Sequence, residues 1–181
     1  MNEIGDRYRR RADAFEALID GTPPERWASP SPCEEWLARD VVAHVVRHSA
    51  ETLHARADVQ MAPVRRELDD PAAGFRAVRG AVEEVLYAPE TRTDVAVHLD
   101  AALSFDLPQH WWDLAKATGQ LATMPPEEVE VLSETLSRMS SEWWKWQVDN
   151  GHYAPAVRVP DDAPLQDRLV ALIGRDPYWT P

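Results

Sequence analysis

Asp106-Leu107-Pro108-Gln109-His110-Trp111-Trp112-Asp113-Leu114-Ala115-Lys116-Ala117-Thr118-Gly119 carries, in one stretch, the helical signals and the chemistry around which the rest of the chain is read. Asp106 and His110 stand four apart, so on a helix both side chains leave from one face, close enough to grip a single ion. Gly119 is a C-terminal stop signal. Pro108 removes a backbone donor and crowds the carbonyl four residues back, so the spacing predicts a kink or a helix start near Asp106. A carboxylate and an imidazole make an incomplete metal site, and a further ligand has to come from another helix.

Outward from this stretch, helical periodicity dominates. Ile4, Tyr8, Ala12, Phe15, Leu18 and Ile19 predict a helix over 3–20, stopped by Gly21 and Pro23-Pro24. Thr22 to Cys33 is broken by prolines around Trp27 and reads as a crossing loop. Leu37, Val41, Val42, Val45, Val46, Ser49 and Leu53 predict a second helix from Ala38 to Ala57, with His44, His48 and Glu51 along one polar stripe. Residues 58–70 read as a charged connection. Asp70-Pro71 then opens a third helix through Phe75, Val78, Val82, Val85 and Leu86, which Pro89 ends. A fourth helical region starts near Thr93 and carries Asp106 and His110. Val129, Leu132, Leu136, Met139, Trp143 and Trp146 predict a single seam-type helix that stops at Asn150-Gly151, with both tryptophans in the core. Tyr153 to Pro160 reads as extended, and Leu165, Leu169, Leu172 and Ile173 form a short helix capped by Gly174. The expectation is an all-α fold: a four-helix bundle over 1–151 with a long crossover connection, and a C-terminal tail over 152–181 packed on it.

The bulk numbers narrow the partners. The chain has 181 residues and a formal net charge of −12, which argues against nucleic acid and anionic membrane surfaces and favours small-molecule or protein partners. One cysteine, Cys33, excludes an internal disulfide framework, and no long apolar run or signal-peptide pattern occurs, so the expected compartment is the cytoplasm. Glu34 and Glu35 beside Cys33 favour a structural, poorly reactive thiol. Trp111, Trp112 and Trp144 cannot all face one interior; one or two should wall a pocket or cover a homodimer interface.

On spacing alone, Asp106 and His110 with either His44 or His48 would hold Zn²⁺ first of all, or Ni²⁺, Fe²⁺ or Mn²⁺, with positions left open for water or substrate. His44, between Ala43 and Val45, should point deeper than His48. A local site from His44, His48 and Glu51 is also geometrically feasible. Against these stands the plain reading of each histidine as a hydrogen-bonded core residue. Asp113 is placed to orient a ligand from behind or to lie on the helix surface, and His48 and Glu51 line the cleft mouth or form a solvated face.

Three blocks in order carry a family resemblance: Trp27 to His44 with Ser31-Pro32-Cys33-Glu34-Glu35-Trp36, Arg39-Asp40 and Ala43-His44; His110-x-Trp112-Asp113-Leu114-Ala115-x-Ala117-Thr118-Gly119; and Leu172-x-Gly174-Arg175-Asp176-Pro177-x-Trp179. Over nearly the whole chain they resemble the actinobacterial proteins related to the N-terminal domain of mycothiol-dependent maleylpyruvate isomerase, within the DinB/YfiT-like group. The resemblance implies a four-helix bundle with a divalent metal held by His44, Asp106 and His110, although several relatives carry glutamate at the Asp106 position and the isomerase has a further C-terminal domain. It also implies an isomerase or transferase that uses mycothiol or a similar low-molecular-weight thiol, with the metal activating thiolate or water. The alternatives are a non-catalytic metal- or small-molecule-binding module on the same bundle, and a polar pocket without metal.

Overall fold

The computed structural model describes residues 2–62 and 70–181; its regular elements are all helices, with no strand among the described residues. The chain divides into two compact units, Met1–Gln120 with Pro181 and Leu121–Thr180, whereas the sequence predicts a bundle over 1–151 and a tail over 152–181. No helix among the described residues is long and apolar enough to cross a membrane.

In the first unit, α1 (Glu3–Asp20) opens on Asn2, whose side chain accepts the Gly5 N–H, and its period buries Tyr8, Ala12, Phe15, Leu18 and Ile19. A 3-10 turn at Pro24–Ala28 interrupts the crossing loop, which is otherwise irregular. α2 (Ala38–Ala57) begins where the Asp40 carboxylate takes the Leu37 N–H, and it buries Val41, Val42, Val45, Val46, Ser49 and Leu53. Of the connection expected over 58–70, residues 63–69 lie outside the described set. α3 (Pro71–Tyr87) starts as read: Asp70 accepts from the Ala73 N–H at 2.9 Å and proline fills the first helical position. α4 (Thr93–Leu99) continues through a π-helical turn, Asp100–Ser104, into α5 (Asp106–Thr118), closed by Gly119 in the left-handed region at φ 75°. Within this unit α1 packs on α3 and α5, and α2 packs on α3 and α5, so each of the first two helices is flanked by the same pair.

The junction before α5 explains how Pro108 is tolerated. Proline has no N–H for the Ser104 carbonyl four residues earlier, and that carbonyl is instead taken by Arg11 Nη1 of α1 at 2.9 Å in a buried contact. One turn up α1, Arg7 clasps the Asp100 carboxylate at the start of the π turn, where Phe105 N–H bonds five residues back to Asp100. Two arginines of α1 thus hold the distortion, and the helix resumes with Asp106 and His110 on one face.

In the second unit, α6 (Pro126–Ser137) packs on α8 (Leu165–Leu172), and Gln166 ties the connection by accepting from Met124 N–H and donating to the Ala122 carbonyl. Val157 N–H, in the extended stretch, donates to the Ala171 carbonyl. Gly174, at φ 83°, sits so close to Ala154 that a Cβ would fall 2.5 Å from its carbonyl oxygen, so no other residue fits. The single seam helix expected from Val129 to Trp146 is corrected here. It breaks at Arg138, and α7 (Ser141–Asp149) starts anew because Ser140 caps it, accepting from the Trp143 N–H. The core assignment of its tryptophans is corrected as well: Trp146 is 54% exposed and stacked on His152, and α7 contains no buried residue. Trp143 packs instead edge-on against Trp144 and at a tilt against Tyr153.

Candidate metal centre

Asp106 and His110 lie on the first turns of α5, and His44 projects from the middle of α2, which packs on it. The resumption of α5 immediately after the π turn, with Pro108 in its first turn, leaves the two α5 residues one turn apart on the side facing α2. One ligand atom each from His44, Asp106 and His110 lies within 4.8 Å of the others. His110 Nε2 is 3.4 Å from Asp106 Oδ1, and the His44 and His110 rings approach edge-on with centroids 4.7 Å apart.

Behind the triad, Asp113 is wholly buried and its Oδ2 stands 3.0 Å from His110 Nδ1. That contact uses Nδ1 as donor and turns Nε2 toward Asp106 and His44, the arrangement that orients metal-bound imidazoles in general. Cys33 Sγ donates to the same carboxylate oxygen at 3.2 Å. Trp36 packs over the front, its ring centroid 4.9 Å from that of His44 and 6.2 Å from that of His110. The crossing loop is what delivers both: Ser31 and Trp36 pair through the backbone, Glu35 takes a positive φ of 63°, and Pro30 bridges Leu37 at the foot of α2.

His48 lies beside the site with its ring parallel to His44 at 5.9 Å, whereas Glu51, a turn further along α2, is exposed and joins no ligand group. The structure therefore brings His44, Asp106, His110 and Asp113 together, keeps His48 adjacent, and leaves Glu51 outside. Cys33 and Trp36 are the members that the sequence reading did not assign to the site. Their placement depends on the path of a proline-broken loop, which no periodicity reports.

The charges are arranged unequally. Burial, followed by the neighbouring His110 charge, pushes His44 down to about 3, with Arg47 and His48 adding to the effect. Burial opposes ionisation of Asp106 as well, but His110's charge and hydrogen bond outweigh it and hold Asp106 at about 2. Burial likewise disfavours the charged His110, yet the Asp106 charge and hydrogen bonds with Asp106, Asp113 and Cys33 raise it well above 6.5. At neutral pH the triad thus comprises a neutral imidazole, a carboxylate and an imidazolium.

The donor set fits a divalent ion of the zinc type. Two imidazoles and one carboxylate are the ligands such ions take at open sites, and the supporting carboxylate behind His110 is present. A second grouping, Cys33 with His110 and Asp113, also has ligand atoms within 4.8 Å. It would use Nδ1, which Asp113 already holds at hydrogen-bonding distance, and it lies around the fully buried Asp113. Asp106, by contrast, keeps 24% of its side chain exposed, so the first set leaves a side through which a small molecule can approach.

These states fix a proton count. Metal uptake at pH 7 must displace the proton of His110 but none from His44 or Asp106, so about one proton should be released per ion. Affinity should rise about tenfold per pH unit below the pKa of His110 in the metal-free protein and level off above it. Calorimetry in buffers of differing ionisation enthalpy measures the release; none, or two, would contradict the assignment of His110 as the protonated ligand.

No family model matches this chain, and no solved structure matches it. It is similar to two uncharacterised proteins of Mycobacterium tuberculosis, Rv0738 of strain H37Rv and MT0763 of strain CDC 1551, each 28% identical over 181 aligned residues that span 93% of this chain and 95% of the relative.

Proposed function

We propose that residues 1–120 form a divalent-metal-binding four-helix bundle of the DinB/YfiT-like kind, with His44, Asp106 and His110 as ligands and zinc as the first candidate. The observation that carries this reading is the convergence of those three ligand atoms within 4.8 Å, with Asp113 fixing the outward nitrogen of His110. The flanking of α1 and α2 by the same pair, α3 and α5, supports the bundle. From the sequence resemblance we further infer a low-molecular-weight-thiol-dependent isomerase or transferase, with mycothiol as the candidate thiol.

A bound ion would supply Lewis acidity, lowering the pKa of a coordinated thiol or water and polarising a carbonyl. The chain's own residues account for the rest. Asp113 keeps the His110 Nδ1 proton in place, so Nε2 is presented as a donor atom. Asp106 adds one negative charge and leaves the site open on its half-exposed side. Trp36 shields the imidazoles from water and strengthens the electrostatics between them. His48, beside His44, is placed to carry a proton to or from a molecule in the cleft.

Thermal unfolding of the zinc-loaded protein with small thiols tests the thiol part. Stabilisation by a thiol, growing with its concentration and absent with the matching alcohol, is expected. Metal binding without stabilisation by any thiol would leave a metal-binding module and contradict thiol chemistry.

A further inference from the structure

Along α2, next to the triad, lies a cavity of about 330 Å³ lined by Trp36, Asp40, Ala43 and Arg47. Asp40, Ala43 and Arg47 follow one another at helical steps of three and four, so the cavity runs along a single face of the helix that carries His44. Ala43 leaves room where a larger side chain would fill it. Trp36 is common to both sites, since it lines the cavity and its ring packs on His44 and His110.

Arg47 is the cation of the lining. Arg7, Arg76, Arg79, Arg92 and Arg138 each pair with a carboxylate, whereas Arg39, also half-buried, has a buried Nε with no partner among the described residues, so Arg47 is set apart by its place in the cavity. Arg47 makes no hydrogen bond or ion pair with any described residue, although it is half-buried and shares the cavity with Asp40. Asp40 is engaged elsewhere, its Oδ2 taking the Leu37 N–H at 2.9 Å as part of the start of α2. A guanidinium presents a planar fork that matches a carboxylate through two parallel hydrogen bonds, and a tryptophan face beside it accepts a flat apolar group.

We propose that this cavity binds a small planar carboxylate, with the carboxylate on Arg47 and the flat apolar part against Trp36. Because Trp36 also covers the triad, the bound molecule lies beside His44. Its role as substrate rests on the proposed metal-centre reading; carboxylate binding itself does not.

Benzoate is the probe, titrated calorimetrically into chelator-treated, metal-free protein, with inorganic phosphate as the competing anion type. Saturable benzoate binding is expected in the wild type, with phosphate weaker because it has no flat face for Trp36. Arg47→Met should weaken benzoate binding at least about tenfold, the loss expected from one charge-assisted pair, and Arg47→Lys should restore part of it. Near-UV circular dichroism checks that each variant keeps the native packing. Equal benzoate affinity in folded Arg47→Met, phosphate binding tighter than benzoate, or no saturable benzoate binding in the wild type would overturn the proposal. Saturable benzoate binding by a wild type that retains no zinc would uphold the subsite and contradict the metal centre, and zinc retention without benzoate binding would do the reverse, so the two readings fail separately.

Discussion

Replacing His110 with alanine is expected to weaken divalent-metal binding by more than about a hundredfold, beyond the roughly 10- to 100-fold loss seen when only a supporting residue is removed. His110 is the hub of the centre: Nε2 faces Asp106, Nδ1 is held by Asp113, and its ring meets His44. Asp113→Asn should fall within the smaller range, because an amide can present the wrong atom to Nδ1 but leaves the three ligands in place. The ordering of the two variants is the informative part. If Asp113→Asn lost as much affinity as His110→Ala, Asp113 would itself be a ligand, and the grouping of Cys33, His110 and Asp113 would be the centre. Competition with a chromophoric chelator reads both affinities on one scale.

The second large effect concerns the framework. Phe75 of α3 is fully buried and packs edge-to-face on Phe15 of α1, with centroids 5.0 Å apart. Phe75→Ala removes a large, fully buried apolar side chain and leaves a cavity, so a loss of about 3–5 kcal/mol in unfolding free energy is expected in the metal-free protein. Phe15→Ala should cost a similar amount, and the double variant less than the sum, because the two rings share one contact. Urea denaturation measures all three. A loss below about 1 kcal/mol for either single variant would show that the interface between α1 and α3 is not the packed core described.

Much of this framework is legible in the sequence because local rules act without competition. α1 and α2 follow the apolar period to their ends, and Asp70-Pro71 opens α3 with a cap and a proline that agree. The interval before α5 is legible only in part. Pro108 announces a distortion, but its resolution depends on residues about a hundred positions away: Arg11 takes the carbonyl that proline leaves over, and Arg7 clasps the Asp100 carboxylate at the start of the π turn. The seam pattern from Val129 to Trp146 misleads for a different reason. Apolar residues at the right steps suggest one helix, whereas Ser140 supplies a cap that starts a new one, and the following tryptophans stay at least partly exposed.

The centre divides in the same way. Asp106 and His110 are local, four residues apart, and the choice of His44 over His48 follows from its apolar neighbours. Cys33 and Trp36 reach the site through a loop with a positive-φ glutamate and an isolated backbone bridge, so their contacts come from tertiary folding. Nothing in the run Ser31 to Trp36 states that its cysteine will meet the carboxylate behind His110.

Metal content per chain tests the central claim most directly. Protein purified without chelator and loaded with zinc should retain about one equivalent through gel filtration, and the His44→Ala/Asp106→Ala/His110→Ala variant should retain essentially none. Less than a few tenths of an equivalent in the folded wild type, or equal retention by the triple variant, would contradict the assignment of this centre.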